Sequence, residues 1–169
     1  MLEETVSQLP KTEEGIKNAF ESCSGRQKYI QAQNTDFKLY LEKAKSDLKN
    51  IENDYNVGAW DWVVVKSHYS IHHASNAMLV KSKNFFSKDH ICTILALKKF
   101  ELITKDLYSN MRKINEKFSD FTVFDITYLL RKAGQYDVRK WKDITKADAD
   151  QIYSLAKEFV AFVEEACYK

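Results

Sequence analysis

A chain of 169 residues has the length of one domain, and 44% hydrophobic with 13% aromatic residues is enough to build a core. Four glycines and one proline leave few tight turns, which disfavours a many-stranded sheet and favours long helices. A net charge of +2 names no partner, no apolar run reaches the roughly 18 residues of a membrane span, and the acidic start from Met1 to Gly15 does not resemble a signal peptide.

Residues 1–33 read as a peripheral helical segment, with a short helix from Thr12 to Cys23 that Ser24 and Gly25 end. Residues 34–169 read as one helical bundle. Its first helix carries Phe37, Leu41, Ala44, Leu48, Ile51 and Tyr55, spaced four and three apart. Asn34 or Thr35 is placed to cap it. After the turn signal Asn56-Val57-Gly58, a long helix runs from Ala59 to about Lys83. Trp62, Val65, Tyr69, His72, Asn76 and Leu79 share one face, and Trp60, Val64, Ile71 and Met78 widen it. A helix apolar on most sides belongs in the middle of a bundle.

The pattern predicts a third helix from Asp89 to Met111, a polar connection from Arg112 to Asp120, and a shorter helix from Phe121 to Tyr136. The last helix starts at Thr145, where Asp148 completes a capping box. It repeats Ile152, Leu155, Phe159, Phe162 and Ala166. Phe37, Leu41, Leu48, Tyr69, Leu95, Leu129, Leu155, Phe159 and Phe162 are the expected core, and Trp60, Trp62 and Trp141 are expected core or interface anchors. The fold class is therefore all-α: an antiparallel up-down four-helix bundle with one or two extra short helices. Cys23, Cys92 and Cys167 are odd in number and lack metal-type spacing, so reduced thiols in a cytoplasmic protein are expected.

Charge is unevenly spread. From Arg131 to Lys142 there are five basic residues and one acid, and from Lys146 to Cys167 two basic residues and five acids. A solvated surface and an anion-binding face both fit such runs.

The stretch from Lys66 to Leu79, Lys-Ser-His-Tyr-Ser-Ile-His-His-Ala-Ser-Asn-Ala-Met-Leu, resembles the signature helix of small prokaryotic HEPN proteins. That helix reads R-x-Y-Y-A-x-F-H-A-x-x-A-L-L. Tyr69, His73-Ala74 and Ala77-Met78-Leu79 match, whereas Lys66 stands at the arginine and His68 at the first tyrosine. Further likenesses follow in order: His90 at the start of the next helix, with Phe100 ten residues on; Arg131 and Tyr136 of the family's R-x-x-A-D-Y, with Gly134 and Gln135 departing; and Ala156, Phe159 and Val160 of its A-x-x-F-V. The resemblance covers about residues 35–167. It implies a helical bundle, commonly a homodimer, that binds nucleotides or nucleic acid, cuts RNA as a toxin, or pairs with a small nucleotidyltransferase.

RNA-cutting members of that family carry an arginine with a histidine roughly four to six positions later, where the histidine moves a proton and the arginine steadies a phosphoryl transition state. Here Arg26, Arg112, Arg131 and Arg139 all lack such a histidine, and none occurs after His90. Tyr136 stands in its place, and a phenol with a pKa of about 10 is a poor base at neutral pH. The resemblance thus points to the non-catalytic branch, with a displaced ribonuclease site or a protein-only interaction module as the alternatives.

Arg131 and Tyr136, with Lys66, Tyr69, His72, His73, Asn76 and His90, are the candidate ligand-binding residues, and Lys132, Arg139, Lys140 and Lys142 would attract phosphates without regard to sequence. A structural role for Arg131 beside Asp137 or Asp61 stays open. His68 and His72 share a face at metal-type spacing, but the glutamate of the metalloprotease motif is missing, so no metal or other cofactor is expected.

Overall fold

The computed structural model describes residues 9–117 and 143–169. Over these residues the chain is helical, with one small two-stranded ribbon. Helix α1 spans Glu13–Gly25, capped by the Thr12 hydroxyl, which accepts from the Gly15 N–H. Strand β1, Tyr29–Gln31, pairs antiparallel with β2, Phe85–Ser87, so that Tyr29 faces Ser87 and Gln31 faces Phe85. No ribbon was expected from the sequence. Its two strands are only three residues long, too short to show an alternating pattern.

Helix α2 is Phe37–Asn56, entered through a 3-10 turn at Asn34–Asp36, and no side chain caps it directly. Gly58, at φ +73°, turns the chain into α3, Trp60–Lys83. That helix lies between α2 and α6, Lys146–Tyr168. Small residues allow close approach to α2: Ser67, Ala74 and Ala77 are wholly buried, and the Ser70 hydroxyl donates to the Ala44 carbonyl. The expected capping box at the head of α6 is present, the Asp148 carboxylate accepting from the Thr145 N–H at 2.9 Å.

The predicted third helix is two helices, α4 (His90–Lys99) and α5 (Lys105–Lys117). Glu101 takes a left-handed conformation, φ +55°, and the Leu102 and Glu101 N–H groups close back on the Leu97 and Lys98 carbonyls. This is a Schellman ending with glutamate where glycine is usual. The Thr104 hydroxyl then accepts from the Leu107 N–H and opens α5. The segment from Arg112 to Lys117, expected as a polar connection, is therefore helical. The predicted helix from Phe121 to Tyr136, with Leu129, and Trp141 lie outside the described residues.

The core holds Phe37, Leu41, Ile51, Val63, Leu79, Leu95, Leu155 and Phe159. Leu48 and Tyr69 are only partly buried. Phe162 and Ala166 are exposed, contrary to expectation, because α6 turns Val160, Val163 and Cys167 inward instead. Trp62 is likewise no core anchor: 52% of its surface is exposed.

The cysteine expectation is also corrected. Cys23 of α1 and Cys92 of α4 form a disulfide with a Cα separation of 5.8 Å, and Cys167 alone is a free, buried thiol. No helix among the described residues is long and apolar enough to cross a membrane.

Candidate functional site

Helix α3 supplies most of the site. Twelve of its residues are buried. Trp62, Lys66, Tyr69 and His73, spaced four, three and four apart, form one outward stripe that keeps contact with solvent. This stripe carries two aromatic rings, a cation and an imidazole, and Val65, His68 and His72 beside it are partly exposed as well.

His73 is held from α2. Its Nδ1–H donates to Asp47 Oδ2 at 2.8 Å, while Lys43 pairs with the other carboxylate oxygen. Burial pushes the Asp47 carboxyl up, but the hydrogen bonds and charges of His73 and Lys43 outweigh it, and the pKa falls below the usual carboxylate value. Asp47 is thus a buried anion that fixes one imidazole tautomer and leaves Nε2 as the atom for a ligand. The sequence reading passed over Asp47. It stands on the buried stripe itself, three residues after Ala44 and four before Ile51, and an acid in such a place signals a buried partner.

Beside this pair lies a stack of imidazoles. His90, the first residue of α4, lies flat against His72, with ring centroids 3.8 Å apart and planes within 4°. His90 Nδ1 and His68 Nε2 face one another in a hydrogen bond with the rings nearly coplanar, so one nitrogen donates and the other accepts. Tyr69 meets His90 edge-on at 5.5 Å and lies alongside His73 at 6.3 Å. Burial, and then the neighbouring His90, hold the His68 pKa well below 6.5. Burial and the surrounding His90, His68 and His73 do the same for His72. These imidazoles stay neutral at physiological pH.

Asn76 sets the tautomer of His72. The Ser87 N–H donates to Asn76 Oδ1 at 3.0 Å and Asn76 Nδ2 donates to the Ser87 carbonyl at 2.9 Å, which fixes the amide orientation. The same Nδ2 lies 3.2 Å from His72 Nε2, which must therefore accept. The His72 proton sits on Nδ1, a buried atom with no hydrogen-bond partner among the described residues. Asn76, 2% exposed, thus clamps β2 to α3, and its amide is fully engaged within the fold.

Lys66 ion-pairs with Asp54 at 2.5 Å, which offsets much of its pull on a phosphate. The phosphate-attracting residues expected from the sequence are Lys132, Arg139, Lys140 and Lys142, with the ligand candidate Arg131 beside them. Those residues and Tyr136 lie outside the described residues. Among the described residues, no group of three or more His, Cys, Asp or Glu side chains is arranged to hold a metal ion. The flat stacking of His72 on His90 does not converge their nitrogens on a common point.

A family model of the HEPN domain matches residues 37–166. The chain belongs to the HEPN domain family. The match takes in α2 through most of α6 and so contains the whole imidazole stack, Asp47 and the α3 stripe. Helix α1 and strand β1 precede it, so Cys23 lies outside the HEPN match while its partner Cys92 lies within it. Comparison with functionally curated proteins returns no match to this HEPN chain.

Proposed function

We propose that this chain is a non-catalytic HEPN module that binds a nucleotide or RNA across the outward face of α3. The observation that carries this reading is the partly exposed face of α3, along which Trp62, Lys66, Tyr69 and His73 follow one another at helical spacing while twelve residues of the helix are buried. Tryptophan and tyrosine offer stacking faces to bases, and His73, oriented by Asp47, offers a fixed hydrogen-bonding nitrogen. His68 and His72, half-buried and held neutral with pKa values well below 6.5, are poor carriers of a proton to or from a substrate. The basic run from Arg131 to Lys142 would add attraction that fades with salt.

The test is a titration with mixed RNA and with nucleotides at two salt concentrations. Arg131→Ala is expected to weaken binding most, since it removes a charge and a bidentate contact together. Lys140→Ala should act more weakly, and its effect should shrink as salt rises. Tyr136→Phe keeps a stacking contact and loses a hydrogen bond. No affinity for any nucleotide or RNA at low salt would overturn the reading in favour of a module that docks only protein, such as a nucleotidyltransferase.

A second reading, a ribonuclease with a displaced site, is favoured by the Asp47–His73 pair, which has the arrangement of an oriented general base. Metal-independent RNA cleavage that His73→Ala abolishes would establish it. We further propose that two copies of the chain associate as a homodimer. Light scattering should then give twice the 19.7 kDa chain mass. A monomer at high micromolar concentration would contradict the dimer.

A further inference from the structure

The Cys23–Cys92 disulfide ties a segment outside the HEPN match to the helix end that carries His90. Cys92 lies in the first turn of the ten-residue α4, two positions after His90, and the Asp89 carboxylate accepts from its backbone N–H at 3.0 Å. The Arg26 guanidinium reaches both sulfurs, with Nη2 3.8 Å from Cys23 Sγ and 3.9 Å from Cys92 Sγ. The Tyr29 hydroxyl donates to the Cys92 carbonyl at 2.9 Å. A cation and a helix N-terminus both favour thiolate over thiol, and a sulfur so placed is a good leaving group in disulfide exchange.

We propose that Cys23–Cys92 is a redox-active pair that exchanges with small-molecule thiols, and that its state sets the position of His90 in the imidazole stack. A thiolate RS⁻ attacks Cys23 Sγ, the S–S bond breaks, and Cys92 leaves as a thiolate beside Arg26. A second RS⁻ attacks the reagent sulfur of the mixed disulfide, releasing RSSR and the Cys23 thiolate. Two electrons pass from the two RS⁻ to the protein, and the protein sulfurs take protons from water as their pKa values dictate.

Both sulfurs are fully buried, so the reagent gains access only when α1 lifts from α4. The other ties of α1 and its flanks are non-covalent: buried Leu9, Ile16 and Ala19, the Phe20 ring against Phe100, the Lys98–Glu13 and Lys28–Asp89 ion pairs, the Tyr108 hydroxyl on the Pro10 carbonyl, and the pairing of β1 with β2. Once the covalent tie is gone, the first turn of α4 loses its fixed link to α1 and is held by weaker contacts, among them the Tyr29 hydroxyl on the Cys92 carbonyl and the Cys92 N–H on Asp89, so it can shift. His90, two residues before Cys92, shifts with it relative to His68 and His72 on the rigid α3.

The experiment is reduction of the full native chain with dithiothreitol. Thiols are counted by alkylation and mass spectrometry, and the imidazole nitrogens are followed by NMR on histidine-labelled protein. Two new thiols should appear without denaturant. The His90, His68 and His72 signals should move together, return on reoxidation with glutathione disulfide, and move further than those of His73, which α2 holds. Arg26→Gln should slow reduction about threefold, the change expected when the leaving thiol's pKa rises by about one unit. Reduction that leaves the imidazole signals in place would overturn the coupling. A bond that resists reduction until the chain is unfolded would overturn the redox role. Neither outcome depends on whether the α3 stripe binds a ligand.

Discussion

Phe159→Ala is expected to destabilise the fold by about 3–5 kcal/mol, a large part of the roughly 5–15 kcal/mol that holds a domain together. Phe159 is fully buried at the centre of α6, among the largest side chains with no exposure. Alanine there removes the aromatic ring's burial and leaves a void that close-packed neighbours can only partly fill. Phe162→Ala is the control. Its ring is 36% exposed and touches Phe159 only at a centroid distance of 6.2 Å, so its loss should cost clearly less. Urea unfolding of both variants checks this, and equal costs would contradict the inward turn of α6.

Acid should weaken the protein well above the carboxylate range. An unfolded histidine titrates near 6.5, whereas folded His68 and His72 titrate well below it. Below about pH 6.5 the unfolded chain therefore binds more protons than the folded one, and stability drops as pH falls. The stabilisation is complete above the unfolded pKa and is lost below it at about 1.4 kcal/mol per pH unit for each such imidazole. Asp47 acts in a separate window. Its lowered pKa costs stability only as pH drops through the carboxylate range. Urea midpoints should fall between about pH 7.5 and 5.5, and His72→Gln should flatten the fall. A midpoint constant over that interval would mean that these imidazoles charge freely in the folded state.

The fold was legible where hydrophobic spacing is long and regular. The stripes of α2, α3 and α6 and the capping box at Thr145 are local signals, and local signals survive in a single sequence. The break between α4 and α5 was not legible, because the left-handed residue is Glu101 and glycine is the usual marker. The face of α6 was half read. Phe162 and Val163 both continue the spacing from Phe159, and only packing against α3 selects Val163.

The site followed the same rule. Tyr69, His73 and His90 were visible through the family likeness and His72 through its place on the same helix face, and the structure brings these four together. Asp47 and the Cys23–Cys92 bond were missed because both depend on contacts between distant residues. Asp47 meets His73 from 26 positions away, and the two cysteines are 69 apart.

The most direct test of the central claim is an anisotropy titration of a labelled single-stranded RNA at low salt with wild type and Tyr69→Ala. Loss of one stacking face is worth about 1–3 kcal/mol per base. The account therefore predicts that wild type binds and that Tyr69→Ala binds at least about fivefold more weakly at equal thermal stability. Identical affinities for the two proteins, or no binding by wild type, would contradict the assignment of the α3 face as a nucleic-acid site.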